Sequence, residues 1–340
     1  MRAVRRTPTI RTVADEAGLS IASVSRVLNG LPTSAATMER VTRAVEQVGY
    51  VPNTAAKSLK TSHTGQVGFA MENIGNAAYL AMVQAIQPAL RAAGYRLLLH
   101  STEADIKDEV DLLRSLGQRY VDGLILCPLR VTDQHLEGLN RAEVPVVVIG
   151  QLPDDCEIDN VRVDSAPGVA MAVRHLAEGG RRRIAMVNGP LDTVPGANRY
   201  RGFQQGLREV GQPLDEALIA FSDFTLEHGA AAARRLLALP ERPDAIFAAN
   251  DLMALGVLQA VREAELDVPG DVAVVGMDDT DLATTAWPPL TSVSLEAHER
   301  GRLAAELLLG RLADPDRPHQ RATLEPRLVV RASSATGGGQ

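Results

Sequence analysis

Residues 9–30, with the sequence TIRTVADEAGLSIASVSRVLNG, decide the fold of the amino-terminal part of the chain. They predict two short helices joined by a tight turn, with Thr12 capping the first helix and Asp15 as its capping-box acid. Gly18 provides the backbone freedom that the turn needs, and Ser20 caps the second helix. The predicted inward face consists of Val13, Ala14, Ala17, Leu19, Val24, Val27 and Leu28.

The outward face of the second helix carries residues that are small or can reach the edges of bases: Ile21, Ala22, Ser23, Ser25 and Arg26. A recognition helix lays such a face in the major groove of DNA. Any short amphipathic helix pair has the same periodicity, so this pattern alone is also consistent with a helical hairpin that does not bind DNA.

A longer pattern resembles the signature of the LacI/GalR family of bacterial transcriptional regulators. It consists of Ala14-x-x-Ala17-Gly18-Leu19-Ser20-x-x-Ser23-Val24-Ser25-Arg26-Val27-Leu28-Asn29 and Gly49-Tyr50-Val51-Pro52-Asn53. The resemblance implies an α-helical helix-turn-helix DNA-binding headpiece plus a hinge helix, followed by an α/β two-lobed effector domain like the periplasmic binding proteins.

DNA contacts in the headpiece follow from this resemblance. They are assigned to Thr9, Ser20, Ile21, Ala22, Ser23, Arg26 and Asn29. Because Ile21 and Ala22 offer little direct hydrogen bonding, we expect Arg26 and Ser20 to carry more of the sequence readout.

A third helix is predicted over residues 34–48, and a short one over 53–61. The third helix has Arg40 and Arg43 outward, and its inward stripe is Met38, Val41, Ala44, Val45 and Val48. The short segment is too brief to be stable alone, so we expect it to order only with a partner. By resemblance it is the hinge helix, with Ala56 and Lys57 in the minor groove and Leu59 as a wedge between base steps. A plain linker is the alternative.

Charge is unevenly distributed along the 340 residues, whose formal net charge is −7. Residues 1–62 contain nine Lys or Arg and four Asp or Glu, a net +5, which leaves −12 for the remainder. This division predicts a basic module for a polyanion joined to an acidic body. The length predicts two or three domains.

Export, metal binding and disulfide formation are not indicated. Cys127 and Cys156 have neither the number nor the spacing of a disulfide framework or a zinc site. No uncharged apolar run reaches about 18 residues, so we expect a cytoplasmic protein without a membrane segment.

From residue 66 onward, short apolar runs alternate with amphipathic helices, which is typical of parallel sheets covered on both faces. The predicted strands are 67–71, 96–99, 123–126, 144–149, 161–163, 183–187, 218–221, 245–248 and 272–276. The predicted helices include 77–93, 108–116, 168–179, 199–210, 227–239 and 252–263. So many units favour two doubly wound lobes over one sheet.

The domain boundaries follow from this alternation and from the family resemblance. The headpiece and hinge are predicted over 1–61 and the effector-binding and dimerisation domain over 62–340. Lobe N is predicted over about 64–163 and 291–322, and lobe C over about 164–290 and 323–333. The chain is expected to cross between lobes near Val163, near residues 288–290 and near Leu324. The tail, 332–340, has no leucine heptad and is interpreted as flexible.

Catalytic signatures are absent: there is no Gly-x-Ser-x-Gly elbow, phosphate-binding loop or His-Glu-x-x-His. No cofactor is expected. Asp278, Asp279 and Asp281 could suggest a metal, but carboxylates after a strand also bind hydroxyl groups, a reading that needs no ion.

Effector contacts are implied by resemblance for Arg199, Phe224, Asn250 and Asp278, each of which could instead have a surface or capping role. Where many relatives have Asp-x-x-Asn-Pro-Phe-Phe, this chain has Asn73-Ile74-Gly75-Asn76-Ala77-Ala78-Tyr79, with the neutral Asn73 in place of the acid and only one aromatic residue, Tyr79. By resemblance, Asn73 and Tyr79 are also assigned as effector contacts. The common Asp-Arg after a later strand is replaced by Gly150-Gln151. The identity of the effector therefore cannot be carried over from the family.

The sequence thus predicts a homodimeric repressor that binds a palindromic operator in double-stranded DNA. Its DNA binding would respond to a small molecule, a sugar or related polar metabolite, held between the lobes. The alternatives are a solute-binding module without a regulatory role and an enzyme on the same fold. The basic helix-turn-helix counts against the first, and the missing catalytic motifs count against the second.

Overall fold

The structure is a computed structural model that describes residues 8–51 and 63–335. Contacts divide the chain into two units, Met1–Thr64 and Gly65–Gln340. The predicted hinge helix, with Ala56, Lys57 and Leu59, lies outside the described residues.

The first unit contains the helices α1 (Ile10–Ala17), α2 (Ile21–Leu28) and α3 (Ala35–Val48). Thr9, not Thr12, caps α1: its Oγ1 accepts from the Thr12 backbone N–H at 3.3 Å, and Thr12 Oγ1 accepts from the Thr9 N–H at 3.2 Å. The predicted cap was wrong because Thr9 offers the same hydroxyl chemistry three residues earlier. Asp15 therefore lies in the second turn, away from the cap.

The core of this unit is small and apolar, formed by Val13, Ala14, Ala17, Val24, Val41 and Ala44. Met38 was predicted to point inward, but it lies in the first turn of α3, ahead of the first buried residue of that helix, and is 50% exposed. Arg40 does more than face solvent. Its Nη2 donates to the carbonyls of Ala17 at 2.6 Å and Gly18 at 3.2 Å, which satisfies the carboxyl end of α1.

The second unit alternates strands and helices. Its first part contains β1 (Gln66–Met71), α4 (Ala77–Ala92), β2 (Arg96–Ser101), α5 (Ile106–Ser115), β3 (Gly123–Cys127), α6 (Asp133–Asn140), β4 (Val146–Ile149), β5 (Asp159–Val163), α7 (Ser165–Glu178), β6 (Ile184–Asn188) and α8 (Val194–Glu209). Its second part contains β7 (Ile219–Phe221), α9 (Leu226–Leu237), β8 (Ala245–Ala248), α10 (Asp251–Glu263), β9 (Ala273–Asp278), α11 (Asp281–Thr285), β10 (Thr291–Ser294), α12 (Ala297–Ala313), β11 (Arg321–Leu324) and β12 (Arg327–Val329).

Two six-stranded sheets result, with the orders β11-β5-β4-β3-β1-β2 and β12-β10-β9-β8-β6-β7. All neighbouring strands run parallel except β10 and β12, which are antiparallel. The two sheets have the same strand order, and each takes its last strand from the carboxyl-terminal part of the chain. The predicted pair of doubly wound lobes is confirmed.

The second crossing between lobes was placed wrongly. Thr291 pairs with Val275 and Ser294 with Asp278, so residues 291–294 form a strand of the second sheet, not the start of the second part of lobe N. The strand was missed because its sequence, Thr-Ser-Val-Ser, lacks an apolar run although all four residues are buried. The chain crosses after Ser294. Likewise Thr323 and Leu324 belong to the first sheet, through β11, so lobe C does not resume at 323.

Glycines let paired helices touch backbone to backbone. A Cβ on Gly256 of α10 would lie 2.1 Å from the carbonyl oxygen of Leu226 on α9. A Cβ on Gly202 of α8 would lie 2.3 Å from the carbonyl oxygen of Ala166 on α7. Both distances are below van der Waals contact, so these helix pairs admit no side chain at the contact point.

Within residues 8–51 and 63–335, every helix is too short or too polar to cross a lipid bilayer.

We expect Gly256→Ala to destabilise the protein by about 1–3 kcal/mol, because the added methyl group forces α9 and α10 apart. This loss occurs although alanine favours an isolated helix by about 1 kcal/mol over glycine. Gly138→Ala is the matched control, since its Cβ would meet only the Leu113 side chain, at 3.1 Å. Urea unfolding checks both variants; a Gly256→Ala protein as stable as the Gly138→Ala protein would contradict the packing argument.

Candidate effector cleft and nucleic-acid interface

A cleft of about 840 Å³, part of it open to solvent, lies at the carboxyl ends of the parallel strands of both sheets. In open α/β sheets this is the edge at which ligands bind. The first sheet contributes Glu72 after β1, Cys127 at the end of β3 and Ile149 at the end of β4. The second sheet contributes Asn250 after β8 and Asp278 at the end of β9.

Three of the predicted effector residues meet in this cleft. Arg199 on α8 is buried, and its Nη2 lies 3.8 Å from Asp278 Oδ1. The Arg199 guanidinium carbon lies 5.4 Å from the centre of the Phe224 ring, within cation–π range. The ring packs on bare backbone, because a Cβ on Gly189 would lie 2.0 Å from Phe224 Cζ. The cleft thus presents a guanidinium, a carboxylate and an aromatic ring together.

Asp278 is held in a left-handed backbone conformation, with φ of +103°, which is unfavourable for a residue with a side chain. The loop that follows is clamped by hydrogen bonds. The Asp279 N–H donates to Ser292 Oγ at 3.0 Å, and both the N–H and the hydroxyl of Thr280 donate to Asp251 at 2.8 Å. Ser292 Oγ donates in turn to Asp251 at 2.6 Å. These bonds stabilise the strained conformation and fix the direction of the Asp278 carboxylate.

Asn250 serves as a helix cap as well as lining the cleft. Its Oδ1 accepts from the Met253 N–H at 2.8 Å, and its Nδ2 donates to the Phe224 carbonyl at 3.2 Å. The side chain therefore anchors the backbone of Phe224 to the start of α10.

Tyr79 on α4 is buried and lines the cleft, as predicted from the sequence. Asn73 is not among the lining residues. Its Oδ1 accepts from the Gly75 N–H at 2.7 Å and its Nδ2 donates to Glu103 at 3.2 Å, so the side chain closes a turn. Its neighbours Glu72 and Asn76 line the cleft in its place, and the effector contact of Asn73 stays a prediction.

Charged lining residues were missed in the sequence. Glu72 is one, and burial, followed by the nearby Glu103 carboxylate, raises its pKa to about 7 although Arg199 acts in the opposite sense. Burial likewise raises the pKa of the Cys127 thiol to about 12, so the thiol is protonated at neutral pH. Arg300 on α12 is the second charged lining residue that the sequence analysis missed, because its helix was not predicted. Only the position of Glu72 immediately after a buried strand could have indicated a lining role.

Contacts bridge the cleft from one lobe to the other. The Val194 N–H donates to the Leu129 carbonyl at 2.8 Å, and Asn198 Nδ2 donates to Gln151 Oε1 at 2.8 Å. An ion pair between Arg130 and Asp192, at 2.9 Å, lies on the same side. Gln151, which replaces a charged residue of the family pattern, thus contacts the opposite lobe.

The acidic cluster after β9 has no metal-like arrangement. Asp279 pairs with Arg331 at 2.7 Å, Asp278 faces Arg199, and Asp281 begins α11. Among residues 8–51 and 63–335, no group of three or more His, Cys, Asp or Glu side chains could hold an ion.

The predicted DNA-reading face lies on α2. Ile21 is 42% exposed, and Ala22 and Arg26 are also exposed. Arg26 makes no ion pair or side-chain hydrogen bond with any part of the chain that the structure describes. Ser20 caps the helix by accepting from the Ser23 N–H at 3.1 Å, as predicted.

Two other predicted DNA contacts have structural duties. Asn29 ends α2, and its Nδ2 donates to the Ser25 carbonyl at 2.7 Å. Thr9 caps α1. A helix start carries unpaired N–H groups and partial positive charge, so Thr9 and Ser20 both mark places suited to a phosphate oxygen.

Comparison with known proteins extends over nearly the whole chain. Residues 9–53 match bacterial regulatory proteins of the lacI family, and residues 173–334 match the periplasmic binding protein-like domain. The HTH-type transcriptional regulator CelR of Thermobifida fusca is 38% identical over 97% of this chain and 99% of its own length. The ribose operon repressor of Escherichia coli K12 is 35% identical over 96% of this chain and 99% of its own length.

Solved structures agree with these matches. A lac repressor dimer bound to operator and the anti-inducer ONPF superposes with a TM-score of 0.83 and 27% identity, over 97% of this chain and 99% of its own. A CelR–cellobiose complex superposes with a TM-score of 0.72 and 36% identity, over 96% of this chain and 99% of its own. The chain therefore belongs to the lacI family of bacterial regulatory proteins, and it is a DNA-binding transcriptional regulator rather than an enzyme.

Proposed function

We propose that the protein is a cytoplasmic, homodimeric repressor that binds a palindromic operator and responds to a sugar held in the cleft. Effector binding is supported above all by one observation: Arg199, Phe224 and Asp278 converge in the cleft at the carboxyl ends of the strands. A solute-binding module without a regulatory role would have no use for the exposed face of α2.

DNA binding is supported by the chemistry of the exposed face of α2. Arg26 is exposed and can donate two parallel hydrogen bonds to O6 and N7 of guanine, the commonest specific contact in the major groove. Ile21 and Ala22 can contact only apolar groups such as the thymine methyl. In a dimer the two headpieces would read half-sites about one helical turn apart. Leu59, Ala56 and Lys57 remain proposed minor-groove contacts.

The proposal of a sugar effector is supported by the side chains of the cleft, which are complementary to a polyhydroxylated ring. Carboxylate and guanidinium groups accept from and donate to neighbouring hydroxyls, while an aromatic face covers the apolar C–H groups of a sugar. CelR, whose complex contains cellobiose, is similar to this chain along its whole length, which supports a sugar. Asn250 and Tyr79 complete the proposed contacts.

Coupling between effector binding and DNA binding would arise from movement of the two lobes of the effector domain. The chain crosses between the sheets after β5, after β10 and after β11, and side chains such as Gln151 and Asn198 meet across the cleft. A ligand that prefers one arrangement of these contacts shifts the population of lobe positions. By linkage it then changes operator affinity.

Arg26→Ala is expected to weaken binding to an operator selected from random DNA by about 1–3 kcal/mol, or roughly 5- to 150-fold, because a bidentate base contact is lost. Arg43→Ala is the control, since Arg43 is exposed on α3 and already paired with Glu39 at 2.8 Å. Mobility-shift titration measures both variants. Equal affinity of the Arg26→Ala and wild-type proteins would remove Arg26 from the readout.

Arg199→Ala is expected to abolish the rise in melting temperature that a bound sugar causes in the wild type, because the central donor of the cleft is gone. Arg201→Ala, on the exposed side of the same helix and paired with Asp164 at 3.0 Å, should keep that rise. A panel of mono- and disaccharides that includes cellobiose identifies the sugar used. A full thermal shift in a folded Arg199→Ala protein would place the effector elsewhere.

Glu72→Gln is expected to stabilise the unliganded protein at pH 8 but not at pH 4. The pKa of Glu72 is about 7 in the folded chain against an ordinary 4.5, so the folded state holds an extra proton between these values. Stability therefore falls as pH rises through this window, and glutamine, which is always neutral, avoids the loss. Thermal melts at both pH values, with the exposed Glu157→Gln as control, test this; an equal effect at both would contradict the shift.

A further inference from the structure

Arg300 is a cation in the cleft without a counter-charge of its own. It lies in the first turn of α12 and lines the cleft, and no described residue forms an ion pair or side-chain hydrogen bond with it. Its Nε is buried and without a partner among the described residues. Leaving a guanidinium N–H unpaired and removed from water is costly, so the arrangement indicates a group that arrives from outside the chain.

Arg199 adds a second unpaired donor to the same cleft. It is 7% exposed, and its Nε also has no partner within the described residues. Its approach to Asp278, 3.8 Å, is too long for a hydrogen bond. Burial and then the nearby Arg300 charge are the causes that lower the pKa of Arg199, while Asp278 opposes them. Two like charges thus share the cleft, and an acceptor between them would relieve their repulsion.

The carboxylates of the cleft do not cancel this positive charge at neutral pH. Glu72 and Asp278 are the acidic side chains among the lining residues. Asp278 faces Arg199 and lies close enough to Arg300 for both guanidinium groups to oppose the rise of its pKa that burial causes, so one carboxylate serves two cations. Glu72 is protonated in part at neutral pH because burial and then Glu103 raise its pKa to about 7. Two guanidinium groups therefore face one shared carboxylate and a partly protonated one, and Arg300 forms no ion pair with any described residue.

We infer that the effector is an acidic sugar whose carboxylate or phosphate group binds Arg300, with Arg199 as the second donor. This inference rests on the proposed role of the cleft as the effector site. A guanidinium matches both oxyanions because its planar fork donates parallel hydrogen bonds to two oxygens. A neutral sugar would offer Arg300 only hydroxyl oxygens and would leave its charge desolvated without a counter-ion.

The test is a panel of matched sugars: glucose, galactose and mannose, each with its uronate and its 6-phosphate, and cellobiose as a neutral disaccharide. Binding to the full-length protein is measured by calorimetry for the wild type and for Arg300→Leu and Arg300→Lys. We expect at least one acidic sugar to bind about 10- to 100-fold more tightly than its neutral parent, the range of a charged hydrogen bond. Arg300→Leu should lose this preference and Arg300→Lys should keep part of it. Whether the uronate or the phosphate binds identifies the anionic group.

The control is Arg302→Leu, on the same helix but already paired with Glu299 at 2.5 Å and with Glu306. It should leave the preference unchanged. The inference is overturned if neutral parents bind as tightly as their acidic forms, if the preference survives Arg300→Leu, or if no acidic sugar binds. Neutral parents that bind as tightly as their acidic forms, in a protein that still binds its operator, would overturn this inference alone, whereas failure to enrich any palindromic operator would overturn the proposed function.

Discussion

The parallel course of strands within each sheet is the constraint on which the site depends. Because the strands run in one direction, every strand that ends at the cleft delivers the next residue of the chain to the same edge. Glu72, Cys127, Asn250 and Asp278 are far apart in sequence and meet only for this reason. The antiparallel β12 delivers no residue to the cleft, and it joins the sheet through β10.

The side chains of the cleft are held in place by packing and hydrogen bonds from residues behind them. The left-handed Asp278 persists because Asp251 and Ser292 hold the backbone that follows it. Phe224 is fixed both by the bare backbone of Gly189 and by the amide of Asn250. A cleft built on such packed supports can discriminate between ligands, because its groups do not have to be ordered on binding.

Sequence reasoning found the two-lobed fold and most of the proposed site, because period and motif are local signals. It placed the start of α1 three residues late, since two threonines have equivalent capping chemistry. It missed β10, whose buried Thr-Ser-Val-Ser carries no apolar run, and α12, which brings Arg300 to the cleft. It did not place Asn73 outside the cleft lining, because the side chain donates to Glu103, thirty residues further along the chain.

In the proposed function, the cleft and the headpiece form one coupled regulator. The most direct measurement is the operator dissociation constant with and without saturating effector, together with the effector dissociation constant with and without operator, on the full chain. Linkage predicts the same factor in both experiments, and a regulator of this kind should give about 5-fold or more. A factor of one in both would mean that the cleft does not regulate DNA binding and would contradict the proposed coupling.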